Sequence, residues 1–302
     1  MRYLYIKLFF IVLFIAIFIR EIKKKTIIIS KELKKRKIIF TFWEPKEKMP
    51  GYLLLCIKTW KKYLPDYEIK ILNYKSVKYY LGESIFSSII CPNMTIPIQV
   101  DAIRVALLKK FGGIWIDADT IILNRSFFEK LNNFELIMLG DVKTKIPNIG
   151  FIFAANNSYL INNWLKSIIQ KVKLYKKNII TNEKNFIYQT SFNESISWNY
   201  LGNGIINQLI RNITGNKFLL LDRKKMQAFP ELIIFKHSSE NMIQKYQRLY
   251  FQKGDPQLVL KLSKYIILLH NSWTPSKYKT MSEEDFLKQD ILLSKLFTYI
   301  LN

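Results

Sequence analysis

Two aspartates one residue apart, Asp117 and Asp119, sit inside FGGIWIDADTIIL, residues 111–123, a run that is otherwise apolar after its two glycines. If the run is a strand, the two carboxylates project from one side of it, about 7 Å apart near its C-terminal end. They repel each other unless a cation lies between or ahead of them. Mg²⁺ and Mn²⁺ take one or two protein carboxylates and fill their remaining positions with phosphate oxygens and water. A divalent ion holding a diphosphate therefore accounts for the pair; two exposed turn aspartates are the plainer alternative. Upstream, Asp101 and Arg104 are three residues apart and share a helix face. Gly112 and Gly113 allow that helix to turn tightly into the strand, so that all four polar residues converge on one crevice. A surface ion pair is the plainer reading of Asp101 and Arg104.

Regular elements must bring these residues together. KIIFTFWEP (37–45) reads as a buried strand stopped by Pro45, residues 51–64 carry helical apolar spacing, and YEIKIL (67–72) alternates as a second strand. Strand, helix, strand is the opening of a nucleotide-binding α/β layer. A helix is expected over 98–111, with Ile103, Ala106, Leu107 and Lys110 on one face and Gly112 as its stop, followed directly by the strand GIWID. Further strands are expected at ELIMLGD, IGFIFAA, FLLL, ELIIF (231–235) and YIILLHNSW (265–273). Helices are expected at 158–175, at GIINQLIRNI and from Glu283 to Leu301, while 176–198 is too polar to assign. No internal repeat or linker interrupts 38–302, which reads as one α/β domain.

The stretch IQVDAIRVALLKKFGGIWIDADTIIL resembles the signature of sugar-nucleotide glycosyltransferases that carry a DXD motif, S-D-x-x-R-x-x-x-L-x-x-x-G-G-x-Y-x-D-x-D. It is especially similar to the capsular polysaccharide synthesis proteins and to glycosyltransferase family 32. Val100 stands where Ser is common and Trp115 where Tyr is usual; neither change removes a charge. The resemblance implies a GT-A type, Rossmann-like fold and transfer of a hexose from a nucleotide sugar, UDP-linked, with retention of configuration. The acceptor it implies is a growing cell-surface or lipid-linked glycan. By the same likeness Asp119 binds Mn²⁺ or Mg²⁺ directly, and Asp117 meets the ribose or a metal-bound water. Asp101 and Arg104 hold donor-sugar hydroxyls, Arg104 also standing near the phosphates. FTFWEP resembles the family's first strand, which places Thr41, Phe42 and Trp43 at the nucleotide, Trp43 as the partner that stacks on the base. HNSW (270–273) resembles a late segment closing over the diphosphate, with His270 or Ser272 completing the metal shell and Trp273 contacting phosphate. NIGFIFA (148–154) resembles an acceptor-side strand.

Two other classes stay open on the sequence. IWIDADT also fits the D-x-D-x-T of haloacid-dehalogenase-type phosphatases, with Asp117 as nucleophile and Asp119 as acid/base on Mg²⁺. That motif normally opens its domain, and only Gly140-Asp141 comes near the further acidic site it needs. A non-catalytic sugar-binding protein is the other alternative.

Composition narrows the partners. Among 302 residues, 47 Lys and Arg oppose 23 Asp and Glu, a formal net charge of +24. Residues 1–37 hold eleven cations and two Glu, a net of +9, so the remainder is still strongly basic. Nucleic acid, an anionic membrane surface and phosphorylated substrates all answer such a charge. The lysines are spread evenly and no nucleic-acid-binding signature is found, so nucleic acid is not expected as a partner. Two cysteines and two histidines are too few for a disulfide framework or a Cys/His zinc site.

Residues 3–19 are apolar apart from Lys7, near the lower length limit for spanning a bilayer, and have no small-residue cleavage site. We expect an anchor helix over 1–22, a basic linker over 23–37 and the catalytic domain over 38–302. The cations that follow the anchor place that domain in the cytoplasm, at an anionic bacterial inner membrane. An interfacial helix is the alternative for the anchor. Asn-x-Ser/Thr triplets at Asn93, Asn124, Asn156, Asn193 and Asn212 leave a Golgi type II topology open.

Overall fold

The run IIFTF, Ile38–Phe42, forms β1 and is buried along its whole length. The chain leaves it through helix α1 (Gly51–Tyr63) and returns as β2 (Glu68–Leu72), parallel to β1 in the register Ile38↔Glu68 to Phe42↔Leu72. Helices α2 (Tyr74–Leu81) and α3 (Glu83–Ile89) then lead to α4 (Ile96–Phe111), which delivers β3 (Gly113–Ile116) to the other side of β1, also parallel. The connection from β1 runs to β2 on one side and the connection from β2 crosses back to β3 on the other, and a crevice opens beyond the carboxyl ends of β1 and β3. The computed structural model describes residues 37–184, 196–211, 213, 217–226 and 229–302, and Ile38–Asn302 is one compact unit.

Strands β5 (Leu136–Asp141), β6 (Ile146–Ala154) and β7 (Phe218–Asp222) extend the sheet to the order β2-β1-β3-β6-β5-β7. β6 is antiparallel to β3 and β5, whereas β7 is parallel to β5, so the fold is α/β around a mixed sheet. A second small sheet pairs β4 (Thr120–Ile122) with β8 (Ile266–Leu268), antiparallel, and so carries the late segment 269–273 up to the DXD motif. The core fills with Tyr52, Leu53, Trp60, Ile116, Ile121, Phe151 and Phe297.

Helix α4 is covered on nearly every side, with Asp101 and Arg104 among its buried residues. It packs on β1, β3 and β6 and against α2, α3 and the long helix α5 (Tyr159–Lys184). Its exit explains the two glycines: Gly112 and Gly113 adopt φ of 65° and 96°, conformations that L side chains avoid. A Cβ on Gly112 would lie 2.9 Å from the Asn156 nitrogen, and one on Gly113 2.8 Å from the Ile38 carbonyl.

Four expectations are corrected. The strand GIWID ends at Ile116, and the DXD motif occupies a turn closed by the Thr120 N–H donating to the Asp117 carbonyl at 3.1 Å. Residues 231–235 are not a strand: Pro230–Ile234 is helical, because Pro230 at the first helical position is preset for that backbone, and Leu232 and Ile233 stay exposed. The strand expected over 265–273 ends at Leu268 and gives way to a 3₁₀ turn, Asn271–Trp273. The last helix is two, Glu283–Leu287 and Leu292–Leu301, with Ile291 extended between them at φ −120°, ψ 154° and the Leu292 N–H donating to the Gln252 carbonyl at 2.8 Å. Among the described residues no helix is long and apolar enough to cross a membrane. The anchor at 1–22 and the linker at 23–37 lie outside the described residues, except Lys37, as do residues 185–195 of the unassigned polar stretch.

Candidate active site

The crevice, about 330 Å³, is lined by Phe42, Trp43 and Glu44 after β1, by Ile96, Pro97, Val100 and Arg104 of α4, by Trp115, Asp117, Ala118 and Asp119, and by Asn271. Each group reaches it for a local reason. Phe42 and Trp43 stand where β1 ends, and the Trp43 N–H continues the ladder to the Leu72 carbonyl at 2.9 Å. Arg104 is one turn along α4 from Val100, so both face the same opening.

Arg104 is the hub of one wall. Its Nη2 lies 3.1 Å from Asp101 Oδ1 and its Nη1 3.6 Å from Asp117 Oδ1, with both Asp101 and Arg104 side chains almost wholly buried. Nη1 also donates to the Ile149 carbonyl of β6, and the guanidinium lies 5.0 Å over the Trp115 ring. The Trp115 indole N–H in turn donates to Asp117 Oδ1 at 2.8 Å. Burial pushes the Asp101 carboxyl up to about 7, Arg104 pulling it down and Asp117 adding to the rise.

Asp119 is held differently. Its backbone carbonyl accepts from the Leu269 N–H at 2.9 Å, and its Oδ2 accepts from the Asn271 N–H at 2.8 Å. Burial raises it to about 7, with Asp117 the next contributor; the Asn271 N–H and Arg223 oppose the rise. The Asn271 side chain is fixed in turn, its Oδ1 accepting from the Tyr52 hydroxyl.

Of the residues singled out by sequence, Phe42, Trp43, Arg104, Asp117 and Asp119 line the crevice together. Thr41 is fully buried within β1 and lies off the lining. Asp101, 4% exposed, sits behind Arg104, so its carboxylate orients the guanidinium rather than facing the opening. His270, Ser272 and Trp273 flank the crevice residue Asn271 without lining it; Ser272 is exposed, and the His270 and Trp273 rings lie 3.9 Å apart. Burial, then Arg223, lowers His270 to about 4, which keeps it neutral. Asp141 uses its carboxylate to accept from the Lys143 and Thr144 N–H groups and lies off the lining, so it gives the phosphatase reading no third acid.

Sequence reasoning missed Asn271 and Glu44. Asn271 acts on Asp119 through its backbone, for which side-chain type carries no signal. Glu44 follows Trp43 directly and accepts from the Tyr74 N–H at 2.9 Å, so its position after the first strand was the available clue.

Among the described residues no three His, Cys, Asp or Glu side chains converge on a point that would hold a metal. The acidic donors on the lining beside the turn are Asp117 and Asp119. Two hard carboxylates, one already oriented by a backbone N–H, fit an ion that takes its remaining ligands from phosphate and water.

An acidic pair beyond the ends of β1 and β3, beside an aromatic wall and a buried arginine, is an arrangement a glycosyltransferase, EC class 2.4, can use, and it is the family match that gives this class. The chain belongs to the capsular polysaccharide synthesis protein family, whose model matches residues 14–253. Three solved structures are distantly similar to it. PaToxG glycosyltransferase is 20% identical over 53% of this chain and 71% of that one, with a TM-score of 0.32. A glycosyltransferase involved in glycosylation of the major capsid of PBCV-1 is 14% identical over 81% and 97%, TM-score 0.40. The apo-form glycosyltransferase GlyE of Streptococcus pneumoniae TIGR4 is 12% identical over 88% and 64%, TM-score 0.36. No curated protein matches the sequence. At these TM-scores the structural likenesses carry no weight, and the assignment rests on the family match. It displaces the phosphatase and the non-catalytic sugar-binding alternatives.

Proposed function

We propose that this glycosyltransferase has the GT-A type fold and moves a hexose, with retention, from a UDP-linked sugar to a growing cell-surface glycan. Mn²⁺ or Mg²⁺ would be held by Asp119, with Asp117 beside it. The observation that carries this reading is the DXD turn itself: both aspartates line the crevice, and the Asn271 N–H fixes one oxygen of Asp119.

The ion, when bound, supplies Lewis-acid stabilisation of the departing diphosphate. The chain's own residues do the rest. Trp43 offers a flat apolar face to the nucleotide base. Arg104, with no freedom to swing because Asp101 and the Ile149 carbonyl hold it, presents a preorganised positive charge to the phosphates. Asp117, oriented by Trp115, accepts a ribose hydroxyl or a metal-bound water.

Release of UDP from a panel of UDP-sugars with Mn²⁺ tests this. Release abolished by chelation and in Asp119→Ala supports it; turnover that ignores both overturns the metal role. The anomeric configuration of the product, read by NMR, tests retention. For location, the hydrophobic residues 3–19 and the cations behind them support a membrane-anchored enzyme with a cytoplasmic domain and a lipid-linked acceptor at an anionic surface. A reporter fused after Asn302 that is active only outside the cytoplasm would favour the type II alternative.

A further inference from the structure

The crevice lining holds one charged group to which the chemistry above gives no role, the carboxylate of Glu44. Glu44 is half-buried, one residue past Trp43, and its Oε2 accepts from the Tyr74 N–H at 2.9 Å. Tyr74 opens α2 just after β2, and its ring meets that of Phe42 edge-on with centroids 5.2 Å apart. The carboxylate is therefore anchored to a regular element. Its other oxygen, Oε1, accepts no hydrogen bond from the described residues.

Sheet order divides the charges of the crevice. The bond to Tyr74, and that of the Trp43 N–H to the Leu72 carbonyl, hold Glu44 on the β2 side of β1, whereas the DXD turn follows β3 on the opposite side. β2 and β3 lie two strand spacings apart, about 10 Å. The lining residues that precede Arg104 in the chain are, apart from Glu44, apolar: Phe42, Trp43, Ile96, Pro97 and Val100. Arg104, Asp117 and Asp119 thus form a charged side fit for phosphate and metal, and the other side offers an aromatic face with one carboxylate beside it. A carboxylate accepts hydrogen bonds and repels phosphate oxygens. A ligand that covers it removes its water, at a cost in affinity unless the ligand supplies a donor. The group that suits this side is flat, carries no charge and has an N–H on its edge.

We propose that Glu44 selects the base of the nucleotide sugar, its Oε1 accepting from the N3–H of a uracil that lies on Trp43. This rests on the UDP-sugar reading above and adds to it a residue outside the DXD signature that sets base choice and the direction in which the donor lies. The carboxylate turns the diphosphate away from the β2 side, toward Arg104 and the DXD turn. A base whose N3 carries no proton, such as cytosine, sets a lone pair against the carboxylate instead of a donor. A site built to use a donor discriminates strongly against a ligand that lacks it, because its own acceptor is then left unpaired.

Titrating the full chain with UDP and with CDP, both with Mn²⁺, tests the assignment, because the two ligands share ribose and diphosphate. The native chain should bind UDP about 10- to 100-fold more tightly than CDP. Glu44→Gln keeps the shape and one acceptor oxygen for the Tyr74 N–H, but turns an amide NH₂ toward the base. UDP affinity should fall about 10- to 100-fold in this variant, and the preference for UDP over CDP should vanish or reverse. UDP affinity within twofold of native in a folded Glu44→Gln overturns the proposal and leaves the donor reading standing. An equal loss for UDP and CDP also overturns it, since the carboxylate would then act on the ribose they share. If Glu44→Gln does not fold, Glu44→Asp, which withdraws the carboxylate by one methylene, decides: a reduced UDP-to-CDP ratio supports the proposal and a native ratio overturns it. A native chain that does not bind UDP overturns the donor reading and this proposal together.

Discussion

The crevice wall formed by α4 and β3 and the segment from Arg223 to Trp273 both bury charged and polar groups near the two aspartates, but they satisfy them differently. In the wall, Asp101, Arg104, Trp115 and Asp117 form a continuous chain of contacts that ends on the Ile149 carbonyl. In the later segment Glu231 Oε2, Tyr250 Oη and His270 Nε2 are buried without hydrogen-bond partners among the described residues. An unpartnered buried polar atom costs about 1–3 kcal/mol. The wall is therefore a finished frame whose geometry precedes the ligand, whereas the later segment carries a cost that its own contacts leave uncompensated.

Mutation separates these two states. Arg104→Ala should be the most damaging change, because it strands the buried Asp101 carboxylate beside Asp117. We expect a loss of about 3–5 kcal/mol in urea denaturation at pH 8. A loss under 1 kcal/mol would mean that the wall is not a frame. Asp119→Ala should do the reverse, lowering turnover about 10²- to 10³-fold with little change in unfolding midpoint, since its role is toward the ligand. Equal losses of stability in the two variants would erase the contrast.

A subtler probe leaves every charge in place. A Cβ on Gly150 would lie 2.9 Å from Asp117 Oδ2 and 3.0 Å from Asn148 Oδ1. Gly150→Ala should therefore displace the Asp117 carboxylate and lower kcat/KM for the donor about tenfold, roughly 1.4 kcal/mol, while Mn²⁺ affinity falls less than in Asp119→Ala. Unchanged donor kinetics would show that Asp117 tolerates movement.

The smallest expected effect is on pH dependence. Burial raises Asp101 from 3.8 to about 7, so between those values the native state holds a proton that the unfolded chain has lost. Its contribution to stability therefore declines as pH rises across that window and levels off above it. Asp101→Asn should flatten the native stability profile between pH 4 and 7. The remaining slope belongs in part to Asp119, which is raised the same way. A profile with the native slope would assign the whole of it elsewhere.

Local pattern made much of the fold legible. β1, α1, β2, α4 and β3 lie within a few residues of where apolar periodicity and the Gly112-Gly113 stop put them, because each is a short-range choice of backbone. Errors fell where a distant partner or a preset residue overrode an apolar run. Pro230 turned ELIIF into helix, and the last helix is interrupted at an extended Ile291, next to the Leu292 N–H that donates to the distant Gln252 carbonyl. The DXD residues read as strand because Ile114, Ile116, Ile121 and Ile122 are strand residues on both sides of a turn that periodicity does not mark.

By itself the sequence determined which residue types carry the chemistry, their spacing and the order of the first elements: Asp101, Arg104, the two glycines and the DXD pair are a local arrangement within twenty residues. Only the tertiary structure decided what each faces. Covering α4 on nearly all sides turned Asp101 inward behind Arg104, and the pairing of β4 with β8 brought Asn271, 152 residues along the chain, to bind Asp119. Such approaches depend on strand order and long-range packing, which no window of neighbouring residues encodes.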